Sequence, residues 1–193
     1  LISDEVHNDL VFAPAEHCVL ANAVPDISHR LVTLVATTKT FNLAGTMIGS
    51  MVTADDHLRQ KISRVAAAYG TSFNRLGMMM TETAWRTGDS WLDSLLVYLK
   101  ENRRIFEDGV NQIAGVKAMS LDATYLCWVD FKDTGMASEE FIRRVQSEAE
   151  IAANHGASFG TGGESFLRFN IACRRALVHD AVDRLQSAFA DLQ

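Results

Sequence analysis

Hydrophobic and polar positions follow two different periods along the chain, and their succession predicts an α/β protein. Three short runs predict strands, and the first two are expected to be buried. They are residues 1–6, 31–36 and 47–53. From residue 55 to 68 the apolar residues recur every three or four positions, which predicts an amphipathic helix. A longer helix is predicted over residues 90–113, because a Gly-Asp-Ser sequence that can cap it comes just before.

The second half of the chain returns to short alternating segments between helical ones. The predicted elements are a strand at 125–131, a helix at 138–150, a strand at 166–172 and a helix from about 176. We therefore predict two parts, residues 1–88 and residues 89–193. The second is expected to be a small α+β domain that the chain enters through the long helix.

Composition narrows the class of protein. The chain has 48% hydrophobic and 22% charged residues, enough to bury a core. Its net charge of −6, with no basic stripe, argues against nucleic acid and anionic membranes as partners. No apolar run approaches the roughly 20 residues of a membrane span. Three cysteines lie far apart in apolar runs, which predicts reduced, buried thiols in a cytoplasmic protein.

The first residues suggest that more chain precedes them. Residues 1–6 look like a buried strand, yet they carry no initiator Met and no leading loop. We therefore expect a fragment of a longer protein.

Lys39 is the lysine with the most unusual setting. The other four lysines lie in polar helical or turn segments that are typical of solvated charge. Lys39 instead follows an apolar strand, at a tight turn with small neighbours, where a cofactor can approach and an amine can act as a nucleophile. Taken alone, this pattern also fits an ordinary loop lysine.

Three segments around polar residues resemble the fold type I pyridoxal-phosphate enzymes. They are residues 3–7 (Ser-Asp-Glu-Val-His), residues 38–45 around Lys39 and residues 166–170 (Phe-Leu-Arg-Phe-Asn). Within that superfamily the chain is most similar to the C–S lyase branch that includes cystathionine β-lyases. Further residues that carry this similarity are His7, Gly88–Leu92, Tyr98–Leu99, Ala123–Phe131 and Gly156–Gly163. The resemblance covers essentially the whole chain, but only the C-terminal half of a typical member. It implies the C-terminal part of a large, mainly parallel domain, followed by the small domain.

The resemblance assigns roles to three side chains. Lys39 is the residue that binds pyridoxal phosphate and later removes the substrate Cα proton. Asp4 pairs with the pyridine nitrogen and keeps it protonated. Arg168 binds the substrate α-carboxylate as a bidentate fork, since an arginine inside an apolar strand needs an anionic partner.

The remaining cofactor contacts depart from the pattern of related aminotransferases. His7 stands where many of them have a tyrosine, and we expect it near the ring hydroxyl. Met47 and Ala36 stand where many have an arginine and a serine for the phosphate, so this contact is assigned to Thr37 and Thr38. The other histidines and the cysteines show no metal-ligand spacing, and no metal site is predicted.

The resemblance thus implies a pyridoxal-phosphate C–S β-lyase acting on L-cystathionine or a related cysteine S-conjugate. An aminotransferase of the same fold is an alternative, because Lys39 and Asp4 serve both reactions. A regulatory protein that retains the fold is a third possibility. We further expect a homodimer in the cytoplasm and, for the fragment by itself, no activity.

Overall fold

The computed structural model describes residues 1–192, which fold into two compact units that divide between Leu96 and Val97. The division falls inside the long helix α5 (Asp89–Val110). The boundary predicted after residue 88 lies at the beginning of that helix. No helix in the described part of the chain is both long and apolar enough to cross a membrane.

The first unit, residues 1–96, holds a three-stranded mixed sheet. Its strands are β1 (Ile2–Asp4), β2 (Val32–Val35) and β3 (Ser50–Val52). β1 pairs parallel with β2, and β2 pairs antiparallel with β3. Its helices are α1 (Leu20–Ala23), α2 (Thr37–Thr40), α3 (Asp56–Ala68) and α4 (Arg75–Thr87), followed by the start of α5. The α/β class is therefore confirmed.

Side-chain caps explain where two of these helices begin. The Asp55 carboxylate accepts a hydrogen bond from the Leu58 amide at 2.6 Å, so the helix predicted at 55–68 is confirmed. Asn74 accepts hydrogen bonds from the amides of Leu76 and Gly77 at 3.1 and 3.3 Å. The sequence analysis assigned no element to α4, which begins at this cap.

The prediction that the first strand is buried is wrong, and the third strand is exposed as well. Ile2 of β1 is 69% exposed, and Met51 of β3 is 65% exposed. Both runs are apolar and extended, but nothing among residues 1–192 covers these side chains. The prediction of three buried cysteines is also wrong, because Cys18 is exposed, whereas Cys127 is buried in the second unit.

The second unit, residues 97–192, is an antiparallel sheet with helices, which confirms the predicted α+β domain. The strands are β4 (Lys117–Ala118), β5 (Leu126–Asp130), β6 (Asn154–His155) and β7 (Phe166–Asn170), in the order β4-β5-β7-β6. The helices, besides the rest of α5, are α6 (Ser138–Arg143) and α7 (Arg175–Ala188). The helix predicted at 138–150 is not a single α-helix, since Arg144–Glu148 form a π-helical turn.

Alternation along β5 and β7 separates the core of this unit from a partly exposed face. Cys127 and Leu167 point inward, as does Phe169, whose ring centroid lies 5.2 Å from that of Phe106 on α5. Trp128 and Arg168 lie opposite each other in the strand register, on the other face of the sheet. The strand period therefore places Arg168 outside the core.

Candidate active site

Asp4 and Lys39 lie at one edge of the sheet in the first unit. β1 and β2 run parallel, and Asp4, the last residue of β1, is in register with Leu34 near the end of β2. Lys39 follows on α2, directly beyond β2. Both residues are exposed, and one Asp4 carboxylate oxygen accepts a hydrogen bond from the Val6 amide at 3.3 Å. The carboxyl edge of a parallel strand pair is where open α/β sheets bind ligands.

Two buried threonines hold the short helix that carries Lys39. Thr40 donates a hydrogen bond to Asp9 at 2.9 Å, which ties α2 to the segment after β1. The hydroxyls of Thr37 and Thr81 lie 3.0 Å apart, and both residues are buried. Since both ends of α2 are anchored inward, Lys39 between them faces out. The sequence analysis did not identify Asp9 or Thr81, because their contacts span 31 and 44 residues.

The predicted phosphate contacts differ in accessibility. The Thr37 hydroxyl is fully buried and engaged with Thr81, whereas Thr38 is only half-buried. His7 is half-buried in the turn over residues 6–9, and its carbonyl accepts a hydrogen bond from the Leu10 amide at 3.0 Å. The assignments of Thr37, Thr38 and His7 to a cofactor stay predictions.

Glu5 anchors the segment that carries Asp4. Its buried carboxylate accepts hydrogen bonds from the Ser3 hydroxyl at 2.9 Å, from His17 Nε2 at 2.8 Å and from the Leu20 amide at 3.2 Å. Burial by itself would raise the pKa of Glu5, but these hydrogen bonds and the His17 charge lower it below its ordinary value. Of these two neighbouring acidic residues, Glu5 is therefore buried and Asp4 is exposed to solvent.

Arg168 is the candidate anion-binding residue, and the structure places it in the second unit. It is half-buried, and its Nη2 donates a hydrogen bond to Asn154 Oδ1 at 3.1 Å. Its Cζ lies 4.4 Å from the centroid of the Phe159 ring. Its Nε is buried without a hydrogen-bond partner, and within residues 1–192 the guanidinium forms no ion pair. A half-buried arginine in this state is suited to an external carboxylate.

Two further aromatic side chains support Phe159, the ring that contacts this guanidinium. The Trp128 ring stacks on Phe166, with centroids 5.2 Å apart and an angle of 17° between the planes. It meets Phe159 edge-on, at 5.5 Å and 75°. The sequence analysis used Phe159 only as part of a motif and did not identify Asn154. The pairing of β6 with β7, which places Asn154 opposite Arg168, is the information it lacked.

The loop that carries Phe159 is closed by two glycines. A Cβ atom on Gly156 would lie 2.2 Å from the Gly163 carbonyl oxygen, and one on Gly163 would lie 2.2 Å from that of Gly156. Only residues without a side chain allow this contact. Gly160 and Gly162, at the tip, have φ values of 125° and 92° and no close neighbours.

The candidate side chains of the two units are suited to organic groups and not to a metal ion. No group of three or more His, Cys, Asp or Glu side chains within residues 1–192 could hold a metal ion. An amine and a carboxylate at one sheet edge, with a guanidinium elsewhere, can bind a carbonyl compound, a cationic ring nitrogen and a carboxylate.

Known proteins are similar to this chain in sequence and in fold. The chain is 31% identical to cystathionine beta-lyase PatB of Bacillus subtilis over 192 residues, covering 98% of this chain and 50% of that protein. A cystathionine beta-lyase of Corynebacterium glutamicum is 28% identical over 187 residues, with coverage of 97% and 50%.

Solved structures agree with the sequence comparisons. A PLP-bound putative aminotransferase from Clostridium difficile superimposes with a TM-score of 0.93 at 31% identity, covering 97% of this chain and 49% of that one. Cystalysin from Treponema denticola, which contains a pyridoxal 5'-phosphate cofactor, also gives 0.93, at 29% identity and coverage of 100% and 50%.

The chain spans about half the length of the curated relatives it matches. Within that half the agreement is nearly continuous, since the profile of the family described as "Aminotransferase class I and II" matches residues 1–185. The chain therefore belongs to the aminotransferase class I and II family.

Proposed function

We propose that this chain supplies the lysine, the ring-nitrogen partner and the carboxylate-binding arginine of a pyridoxal-phosphate-dependent C–S β-lyase. The enzyme would cleave L-cystathionine or a related cysteine S-conjugate to a thiol, pyruvate and ammonia. The observation that carries the proposal is the shared sheet edge of Asp4, which ends β1, and Lys39, which follows the adjacent parallel strand β2 on α2. The names of the lyase relatives support the reaction type.

The residues at this edge fit the cofactor. An exposed amine on an anchored helix is accessible to an aldehyde, and an exposed carboxylate is accessible to a pyridine nitrogen. Pyridoxal phosphate, when bound, supplies an electron sink for the substrate Cα. Asp4 would hold a proton at the ring nitrogen, because a carboxylate favours the cationic form of its partner. Thr37, Thr38 and His7 are proposed for the phosphate and the ring hydroxyl.

Lys39 has two tasks in this proposal. Its amine binds the cofactor aldehyde, and once the substrate amine has taken its place it accepts the proton from Cα. The departing thiolate leaves from Cβ. Arg168 binds the substrate α-carboxylate and so fixes the orientation of the Cα–H bond. Its lack of an ion pair within the described residues supports this task.

An aminotransferase of the same fold is the second candidate. The family profile and the putative aminotransferase from Clostridium difficile favour it. Lys39 would again accept the Cα proton and pass it on, but no thiolate would leave from Cβ. We also propose a cytoplasmic homodimer with a small amino-acid substrate, and sedimentation of the purified protein tests the dimer.

The test measures pyruvate and thiol release from L-cystathionine by the intact protein that carries this chain, with added pyridoxal phosphate. Release without a 2-oxo acid supports the lyase. Turnover only with a 2-oxo acid would replace it with the aminotransferase. No turnover despite bound cofactor would contradict both and favour a regulatory role.

Lys39→Ala tests the central residue separately. It should abolish turnover and the cofactor linkage that borohydride traps, whereas Lys61→Ala, at an exposed position on α3, should leave both intact. Cofactor trapped on another lysine in the Lys39→Ala protein would refute the assignment.

A further inference from the structure

We propose that Phe159 and Asn154 are positioning residues that hold the Arg168 guanidinium ready for the substrate carboxylate. The inference rests on the proposed function and adds to it two residues that do not themselves bind the carboxylate. It is drawn entirely from contacts inside the second unit.

The shape of the guanidinium determines how a carboxylate can bind to it. This group is flat and carries five N–H donors in its plane, so a carboxylate binds at its edge and not on its face. Arg168 Cζ lies over the Phe159 ring, 4.4 Å from its centroid. The ring therefore limits the movement of the guanidinium without competing for its N–H donors.

Asn154 restricts the remaining motion, which is rotation of the side chain. Its Oδ1 accepts one hydrogen bond from Nη2 at 3.1 Å, and its strand position is fixed opposite Arg168 by the pairing of β6 with β7. With Nε enclosed, the second Nη2 hydrogen and the hydrogens of Nη1 remain for a ligand. A neutral amide suits this role, because a carboxylate there would itself occupy the guanidinium.

The ring of Phe159 is itself supported. Trp128 contacts it edge-on and is stacked on Phe166 from the neighbouring strand. The contact between Gly156 and Gly163 closes the loop on either side of Phe159. Phe159 is nevertheless 52% exposed, so it is not a core residue. An exposed aromatic ring held this firmly over a cation is better explained by positioning than by core packing.

Two ligands that differ by one carboxylate distinguish a positioning role of Phe159 from a general structural role. 2-Aminoisobutyrate carries an amine and a carboxylate but no Cα proton, so it binds without proceeding. Isopropylamine is the same molecule without the carboxylate. Their dissociation constants are measured with the cofactor-loaded intact protein, by titration of the cofactor absorbance. Phe159→Leu should weaken 2-aminoisobutyrate about tenfold and leave isopropylamine unchanged.

Conservative and charged variants sharpen the test. Phe159→Tyr keeps the ring and should restore binding of 2-aminoisobutyrate to the native value. Asn154→Ala should weaken it a few-fold by removing one hydrogen bond. Asn154→Asp should weaken it more, because the new carboxylate pairs with Arg168 and repels the ligand.

Arg168→Gln distinguishes failure of this inference from failure of the proposed function. If Arg168→Gln leaves 2-aminoisobutyrate binding unchanged, the carboxylate site of the proposed function is wrong. If Arg168→Gln weakens it and Phe159→Leu does not, the positioning inference alone is wrong. A Phe159→Leu protein that loses both ligands equally would also overturn the inference, since that result indicates a general structural role.

Discussion

Replacing Asn102 with alanine should destabilise the connection between β7 and α7. Asn102 lies on α5 and is fully buried. Its Nδ2 donates hydrogen bonds to the carbonyl oxygens of Ile171 at 2.9 Å and Cys173 at 3.0 Å, and its Oδ1 accepts one from Arg175 Nε at 3.3 Å. One side chain thus fixes the residues that follow the Arg168 strand.

The expected loss follows from these contacts. Each of the three hydrogen bonds contributes about 1 kcal/mol net, and of the two carbonyl oxygens the one of Ile171 keeps a second partner, the Cys173 amide at 2.9 Å. The free energy of unfolding should therefore fall by about 2 to 4 kcal/mol. Urea unfolding of the intact protein, followed by tryptophan fluorescence, measures this as a lower midpoint at an unchanged slope.

Asn22→Ala is the matched control. Asn22 is exposed on α1, and its side chain makes no hydrogen bond to another residue of 1–192. Its replacement should change the free energy of unfolding by no more than about 0.5 kcal/mol. A loss below about 1 kcal/mol for Asn102→Ala would refute the reasoning, because the carbonyls would then have found other partners.

Two further predictions concern titration and thiol chemistry. Because the pKa of Glu5 is lowered in the fold, its stabilising contribution is complete above the ordinary carboxyl pKa of about 4.3 and is lost as pH falls through the lowered value. Glu5→Gln should therefore reduce the decrease in the free energy of unfolding between pH 6 and pH 3, measured by urea unfolding. A decrease as large as that of the unmutated protein would contradict the assignment. Exposed Cys18 should react with a thiol reagent in the native protein. Cys127, whose pKa burial raises to about 12, should react only after unfolding, and equal rates would contradict this difference.

Local patterns predicted most of the second unit. The strand expected at 125–131 is observed as Leu126–Asp130, and the helix expected from about 176 begins at Arg175. Both depend on alternation or on helical period, which neighbouring residues determine. Such patterns did not predict the π-helical turn Arg144–Glu148. Arg144 there pairs with Asp191, 47 residues away in sequence, and a local pattern does not contain that contact.

Burial in the first unit could not be predicted for a related reason. The apolar residues of β1 and β3 show which side chains prefer a covered position, but not whether a covering element is present. Ile2 and Met51 are exposed for this reason. Helix α4 was missed although its apolar and polar residues separate onto two sides with the helical period.

The residues of the candidate site also form two groups, those that the sequence identified and those that only the structure revealed. Lys39 was conspicuous in the sequence because it follows an apolar strand, whereas Asp4 and Arg168 were identified through the resemblance to fold type I pyridoxal-phosphate enzymes. The residues that hold them were not. Thr81 and Asn154 are ordinary polar residues whose importance comes from a partner 44 or 14 residues away. Their contribution becomes visible only when the helix and strand pairings are known.

The contact between Gly156 and Gly163 separates two properties of the loop that carries Phe159. The neck is fixed, since neither glycine tolerates a side chain, whereas the tip around Gly160 and Gly162 faces open space. Extra residues inserted at the tip would lengthen the loop without disturbing the neck or the ring beside it. The length of the loop can therefore vary at its tip while the neck and the contact between Phe159 and Arg168 stay unchanged.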